Sequence, residues 1–176
     1  GRDAMGASTR GTGELIRAAA EAGARTILVG MGGSASSDAG AGMAQALGAR
    51  LLDREGRPIG PGAEGLRSLA RIEAGETAAF SKRVRIVALS DVDTPLTGPR
   101  GSARVFGPQK GATAAQVKIM EEAMARFARI VKRDLGKEVA RLAGAGAAGG
   151  LGAGLAAFLL ASLVQGADWI LNALGL

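Results

Sequence analysis

The 176-residue sequence has no cysteine and no histidine. The first absence excludes disulfides and thiolate metal centres, and the second removes the commonest general base and the commonest transition-metal ligand. Tyrosine is missing too, and one tryptophan with four phenylalanines supplies the whole 3% aromatic content. The core must therefore be built from Ala, Leu, Val, Ile and Met, and the surface has no interleaved aromatics on which bases could stack. The N-terminus lacks a charged-then-apolar leader pattern, which points to a cytoplasmic location. Any catalysis left to this chain runs on carboxylates, lysine and hydroxyls. Those are the groups that phosphoryl transfer with Mg²⁺ uses, since the metal takes oxygen ligands and the chemistry is mostly positioning and charge stabilisation.

Hydrophobic residues make up 47% of the chain and glycine contributes 29 positions. That length and content suffice for one compact domain, residues 1–176, with small residues packed closely. The net charge of +6 is compatible with nucleic acid, a membrane surface or a small anion. Many basic residues, such as Lys118, Arg126, Arg129, Lys132 and Arg133, fall on one helix-like stretch as a solvated face, so nucleic acid is not expected as a partner. Leu142 to Ala167 carries no charge and is long enough to span a bilayer. Its first half is glycine and alanine, however, and only Leu151 to Val164 is strongly apolar, which is closer to the length of a buried core helix, so a membrane is not expected as a partner.

Elements alternate along the chain. Thr12 is placed to cap a helix whose stripe is Leu15, Ile16, Ala19 and Ala22, stopped by Gly23 before a strand at Thr26–Val29. A strand and turn follow at Leu51–Ile59, then a short helix around Leu66 to Ala70, and a strand at Val84–Leu89. The best-specified helix runs from Thr113 to Leu135, with capping-box spacing at Thr113 and Gln116, an apolar stripe through Met120, Met124, Phe127 and Val131, and a stop at Gly136. A last short helix spans Ala167 to Leu174.

Chemistry concentrates between these elements. The stretch Gly30 to Gly42 joins strand to helix through Gly32, Gly33, Ser34, Ser36 and Asp38, a composition that lets backbone N–H groups approach phosphate or carboxylate at a helix start. Asp38 is either a ligand or an Asx-type cap of the following helix. Asp91 and Asp93 stand where a strand gives way to a loop, the place ligands occupy in α/β sheets. Lys110 and Gly111 precede a helix cap, where a phosphate could meet a point charge and free N–H groups. Gly144 to Gly154 is a second glycine-rich entry to a helix.

The order and wording of these segments resemble the bacterial glycerate kinases of the first type. The resemblance rests on Gly11-Thr12-Gly13-Glu14-Leu15-Ile16, the Gly-Gly-Ser-Ala loop ending in Asp38, Asp91-Val92-Asp93 followed by Pro95-Leu96, Phe106 to Gly111, and Gly144 to Gly150. Family members commonly read Gly-Gly-Ser-Ala-Thr-Asn-Asp-Gly-Gly where this chain has Ser36, Ser37 and Ala39, and Asn where it has Thr94. One hydroxyl is kept and two amides are lost. The resemblance implies ATP-dependent phosphorylation of D-glycerate with Mg²⁺, and an α/β fold in three layers, with a sheet of mixed strands and helices on both faces. It also implies that this chain is the inserted middle domain of a protein about twice as long, partnered by a second, nucleotide-fold domain and weak or inactive alone.

On that reading Asp91 and Asp93 act as general base or Mg²⁺ ligands and Lys110 meets the transferring phosphoryl group. Gly32, Gly33, Ser34, Ser36, Asp38, Gly146, Gly149 and Gly150 hold the substrate carboxylate or phosphate. The alternative is a non-catalytic anion-binding or interaction module.

Overall fold

The computed structural model describes residues 3–175. Three parallel strands form the principal sheet: β1 (Thr26–Gly30), β4 (Arg85–Leu89) and β5 (Ser162–Val164), in the order β1-β4-β5. Between β1 and β4 the chain passes through α2 (Ala41–Ala46), β2 (Arg50–Leu52), α3 (Gly62–Leu66), β3 (Arg71–Glu73) and α4 (Thr77–Arg83). β2 and β3 pair antiparallel as a separate ribbon, so the parallel and antiparallel pairings fall in two separate sheets and not in one mixed sheet. The α/β class is the one the sequence implies.

Register explains which residues reach the core. Ile27 lies beside Ile86, and Val29 beside Ala88, which also neighbours Leu163. Successive strand side chains alternate between faces, so this set shares one face. It joins a continuous apolar cluster with Ile16 of α1 (Arg10–Glu21), Phe80 of α4 and Leu155, Phe158 and Leu159 of α7 (Ala147–Leu159). On the other face Leu28 remains 45% exposed.

α6 (Ala114–Leu135) forms as its sequence dictates. Thr113 accepts the Gln116 N–H and the Gln116 side chain accepts the Thr113 N–H, which closes the capping box. Gly136 takes the left-handed conformation that ends the helix. Met120, Met124, Phe127 and Val131 are fully buried, and Phe127 meets Phe158 with ring centroids 6.4 Å apart. At its far end Asp134 accepts the Ile72 N–H at 2.8 Å, tying the helix to β3.

Three boundaries differ from the sequence pattern. α1 begins at Arg10 with Thr9 at its cap position, three residues and less than one turn ahead of a Thr12 cap, and Leu15 is 74% exposed. The helix instead packs through Gly13, where a Cβ would stand 2.5 Å from the Met43 carbonyl oxygen, so α1 and α2 approach on the Gly13–Ile16 face. The short helix after Pro61 occupies Gly62–Leu66 and stops where Leu66 to Ala70 was expected to be helical. The apolar stretch from Leu151 to Val164 is not one helix: α7 ends at Leu159, Leu160 turns left-handed at φ 53°, and the remainder becomes β5. α8 (Gly166–Leu174) follows. No helix among the described residues is long and apolar enough to cross a membrane.

Candidate active site

Two loops leave the C-terminal ends of the neighbouring strands β1 and β4. Met31 N–H still pairs with Leu89 O at 2.9 Å, and Ser90 N–H with Val164 O at 2.9 Å, so the loops start side by side. A third segment, Gly144 to Gly150, is wedged against both. Gly146 N–H donates to Thr94 O at 2.9 Å and Gly149 O accepts from Ala39 N–H at 3.1 Å. Ser102, at the start of α5 (Ser102–Phe106), donates its hydroxyl to Gly146 O at 2.7 Å.

Glycine is required in this wedge by contact distance. A Cβ on Gly146 would lie 2.2 Å from Pro95 O, one on Gly149 1.9 Å from Ser36 O, and one on Gly150 2.7 Å from a Leu96 methyl carbon. Ala148, Gly149 and Gly150 are all left-handed, which breaks the first turn of α7 and turns the Gly149 carbonyl toward the Asp38 loop. These three glycines therefore act as packing joints between loops.

Asp38 is only 1% exposed and is the hub of the first loop. Its Oδ2 accepts from Thr9 N–H at 2.8 Å, Thr9 Oγ1 at 3.0 Å, Gly42 N–H at 3.1 Å and Ser8 Oγ at 3.3 Å, while Oδ1 accepts from Gly40 N–H at 3.2 Å. Met43 N–H is taken by Thr9 Oγ1 at 3.0 Å. The carboxylate that the helix N-terminus attracts is thus the protein's own, and the Asx-type reading of Asp38 describes its geometry. Ser8 and Thr9 were not expected here; their only sequence signal is a pair of hydroxyls just ahead of α1.

The open donors lie earlier in the loop. Gly32 and Gly33 are exposed, a Cβ on either would meet nothing within 4 Å, and among the described residues the N–H groups of Gly32, Gly33 and Ser34 have no protein partner. An anion can approach there as the composition implies, displaced from the start of α2.

Lys110 ends a 3₁₀ turn (Pro108–Lys110) and is only 7% exposed. Its Nζ donates to Ser36 O at 2.5 Å and to Ser34 Oγ at 3.4 Å, beside Gly149. Burial lowers its pKa to about 8, against the partial opposition of the Asp38 charge. The expected pairing of Lys110 with a free Gly111 N–H does not form, because Gly111 is left-handed and its N–H closes the turn onto Pro108 O at 3.0 Å. Lys110 braces the Ser34–Ser36 loop from beneath.

Asp91 and Asp93 stand exposed on the other flank. Asp91 Oδ1 accepts Ala167 N–H at 3.2 Å at the start of α8, which leaves its second oxygen open. Asp93 lines a cleft of about 160 Å³ with Ser90, Gly144, Leu163 and Gln165. Among the described residues, neither acid bonds to Lys110, and no group of three or more His, Cys, Asp or Glu could hold a metal ion. Two carboxylates nevertheless suit Mg²⁺, which characteristically binds one or two together with substrate phosphates and water.

The whole chain, residues 1–176, matches the model of the glycerate kinase family. It is 49% identical over 172 residues to the glycerate kinase of Halalkalibacterium halodurans, covering 98% of this chain and 45% of that protein. It is 45% identical over 175 residues to the glycerate 2-kinase of Escherichia coli K12, covering 99% and 46%. Among solved structures it is similar to one assigned to glycerate kinase 2 of Salmonella typhimurium LT2, with TM-score 0.93 and 47% identity over 99% of this chain and 47% of that one. The chain thus spans slightly less than half the length of the relatives it matches.

Proposed function

The chain belongs to the glycerate kinase family, and from that premise we propose that it forms one α/β domain, residues 1–176, of an enzyme that transfers a phosphoryl group from ATP to a hydroxyl of D-glycerate. The observation that carries this reading is the meeting of the Gly32–Asp38, Ser90–Pro95 and Gly144–Gly150 segments at the C-terminal edge of parallel strands, where α/β sheets bind ligands. The name of the Escherichia coli relative directs the proposal to the 2-position.

In the reaction the glycerate oxygen forms a bond to the terminal phosphorus, the bridging P–O bond of ATP breaks, and ADP leaves with that electron pair. The hydroxyl proton passes to Asp93, exposed in its cleft, with Asp91 as the alternative acceptor. The open N–H groups of Gly32, Gly33 and Ser34 bind the substrate carboxylate. The acid of the Asp91 and Asp93 pair that does not take the proton would hold Mg²⁺, which supplies charge neutralisation on the phosphates. Lys110 and Asp38 act one step back, holding the loop that presents those donors.

The other half of the cleft belongs to a second domain in this reading, so the 176-residue chain by itself binds anions weakly and turns over little. The test is ADP release from Mg-ATP and D-glycerate by the full-length protein, with ³¹P NMR identifying the phosphorylated position. Turnover that falls at least about 100-fold in Asp93→Asn, within the range of general base loss, supports the assignment. An unchanged rate in a folded variant rejects it.

A further inference from the structure

If Lys110 is spent inside the protein, the anionic end of the phosphate donor needs other cations. Its Nζ is buried against Ser36 O and Ser34 Oγ. Beside the candidate site a second cleft, of about 520 Å³, runs between Pro95–Arg100 and Arg141, a size within the range of about 300–1,000 Å³ usual for small-molecule sites. Arg100 and Arg141 line it; both are exposed and neither has an ion-pair partner among the described residues. No carboxylate lines this cleft. The acid beneath its loop, Glu121, accepts Gly98 N–H at 2.6 Å and pairs with neither arginine.

The cleft lies between the same two chain segments as the one that holds Asp93, though the two share no lining residue. These are the segment after β4 and the segment before α7: Ala143 and Gly144 face Ser90, Val92 and Asp93, and Arg141 faces Pro95 to Arg100. Arg141 and Ala143 are two positions apart in the chain, at most about 7 Å along the backbone. The walls are fixed before any ligand arrives. Thr97 N–H donates to Ala140 O at 3.2 Å, Gly101 N–H to Gly98 O at 2.9 Å, and Ser102 N–H to Pro95 O at 3.1 Å.

We propose that Arg100 and Arg141 form a clamp for the polyphosphate tail of the donor nucleotide, on opposite walls of this cleft and beyond the proton-accepting acids. The clamp rests on the kinase reading above. Guanidinium groups suit it because their fixed fork of N–H donors matches phosphate oxygens in pairs, and because their charge persists at every working pH. Polyphosphate is favoured over glycerate because the cleft far exceeds a three-carbon acid and presents two cations with no carboxylate in its lining; Glu138, which feels the Arg141 charge, is already held at 2.8 Å by Lys132.

Calorimetric titration of the full-length protein with inorganic tripolyphosphate, without glycerate, tests the site apart from turnover. Arg100→Ala and Arg141→Ala should each weaken tripolyphosphate binding at least about tenfold, the factor one charge-assisted hydrogen bond supplies. Both should raise KM for ATP and leave KM for D-glycerate and the melting temperature unchanged. Arg141→Lys should recover only part of the affinity, since it restores charge without the fork. Tripolyphosphate affinity indifferent to both substitutions overturns the clamp, and a rise in KM confined to glycerate reassigns the cleft to the carboxylate and also overturns it. Arginine-dependent tripolyphosphate binding in a protein that does not phosphorylate glycerate sustains the clamp and defeats the kinase reading.

Discussion

Lys110 is the residue whose surroundings most change its expected behaviour. Its pKa is lowered to about 8 from the ordinary 10.5, so between those values the folded chain binds fewer protons at this site than the unfolded chain does. Unfolding then takes up protons, and the contribution of Lys110 to stability rises with pH across that window. The neutral amine still donates to Ser36 O, so the brace survives deprotonation. Urea denaturation of wild type and Lys110→Met from pH 7.5 to 10.5 should show the difference moving in favour of wild type as pH rises; a constant difference would contradict the buried setting. The neighbouring glycines separate packing from openness. Gly149→Ala sets a methyl 1.9 Å from Ser36 O at φ +69°, and should cost about 1–3 kcal/mol by overpacking, with left-handed strain of about 1–2 kcal/mol added. Gly32→Ala meets nothing within 4 Å and should stay within about 0.5 kcal/mol of wild type. Chemical denaturation measures both.

At the scale of the element, α6 is the girder against which α3, α5 and β3 rest. Its reciprocal cap at Thr113 and Gln116 satisfies N–H groups that the helix cannot. Thr113→Ala should lower stability by about 1 kcal/mol. Phe127, fully buried in the apolar core with its ring against Phe158, should cost about 3–5 kcal/mol when cut to alanine. Equilibrium unfolding followed by circular dichroism gives both values, and the larger loss should belong to Phe127. Element ends were less legible than element centres. The stripe of α6 and its cap follow from spacing alone, whereas β5 lies inside an apolar run whose composition suits helix or strand equally. Only pairing with β4 distinguishes them, because Leu163 must stand beside Ala88 for that strand to form.

For the whole molecule, one apolar cluster runs through α1, α2, both sheets, α6 and α7. A core so connected should unfold cooperatively, and we expect the 176-residue chain expressed without further residues to give a calorimetric unfolding enthalpy equal to its van't Hoff enthalpy. Its activity should differ from its stability. With slightly less than half the length of its relatives, the isolated chain should release ADP from Mg-ATP and D-glycerate far below a typical enzyme rate of about 10 per second, since half a cleft neither aligns the reactants nor excludes water. Turnover near that rate in the isolated chain would place the complete site within these residues.

The sequence by itself determined the class of fold, the long capped helix, the strands that feed the two functional loops and the family to which those loops belong. Each of these depends on residues close together in the chain: a capping pair three apart, a stripe at helical spacing, a glycine run after an apolar strand. Tertiary structure decided where the candidate side chains go. Asp38 became a hub because Ser8 and Thr9, some thirty positions earlier, fold onto it. Lys110 became a brace because a carbonyl 74 positions away reaches its ammonium group. Gly146, Gly149 and Gly150 became joints because other loops fill the space a side chain would need. The physical reason is the same in each case: a donor, an acceptor or a vacant Cβ position has a local identity, but its partner is chosen by packing between segments far apart in sequence.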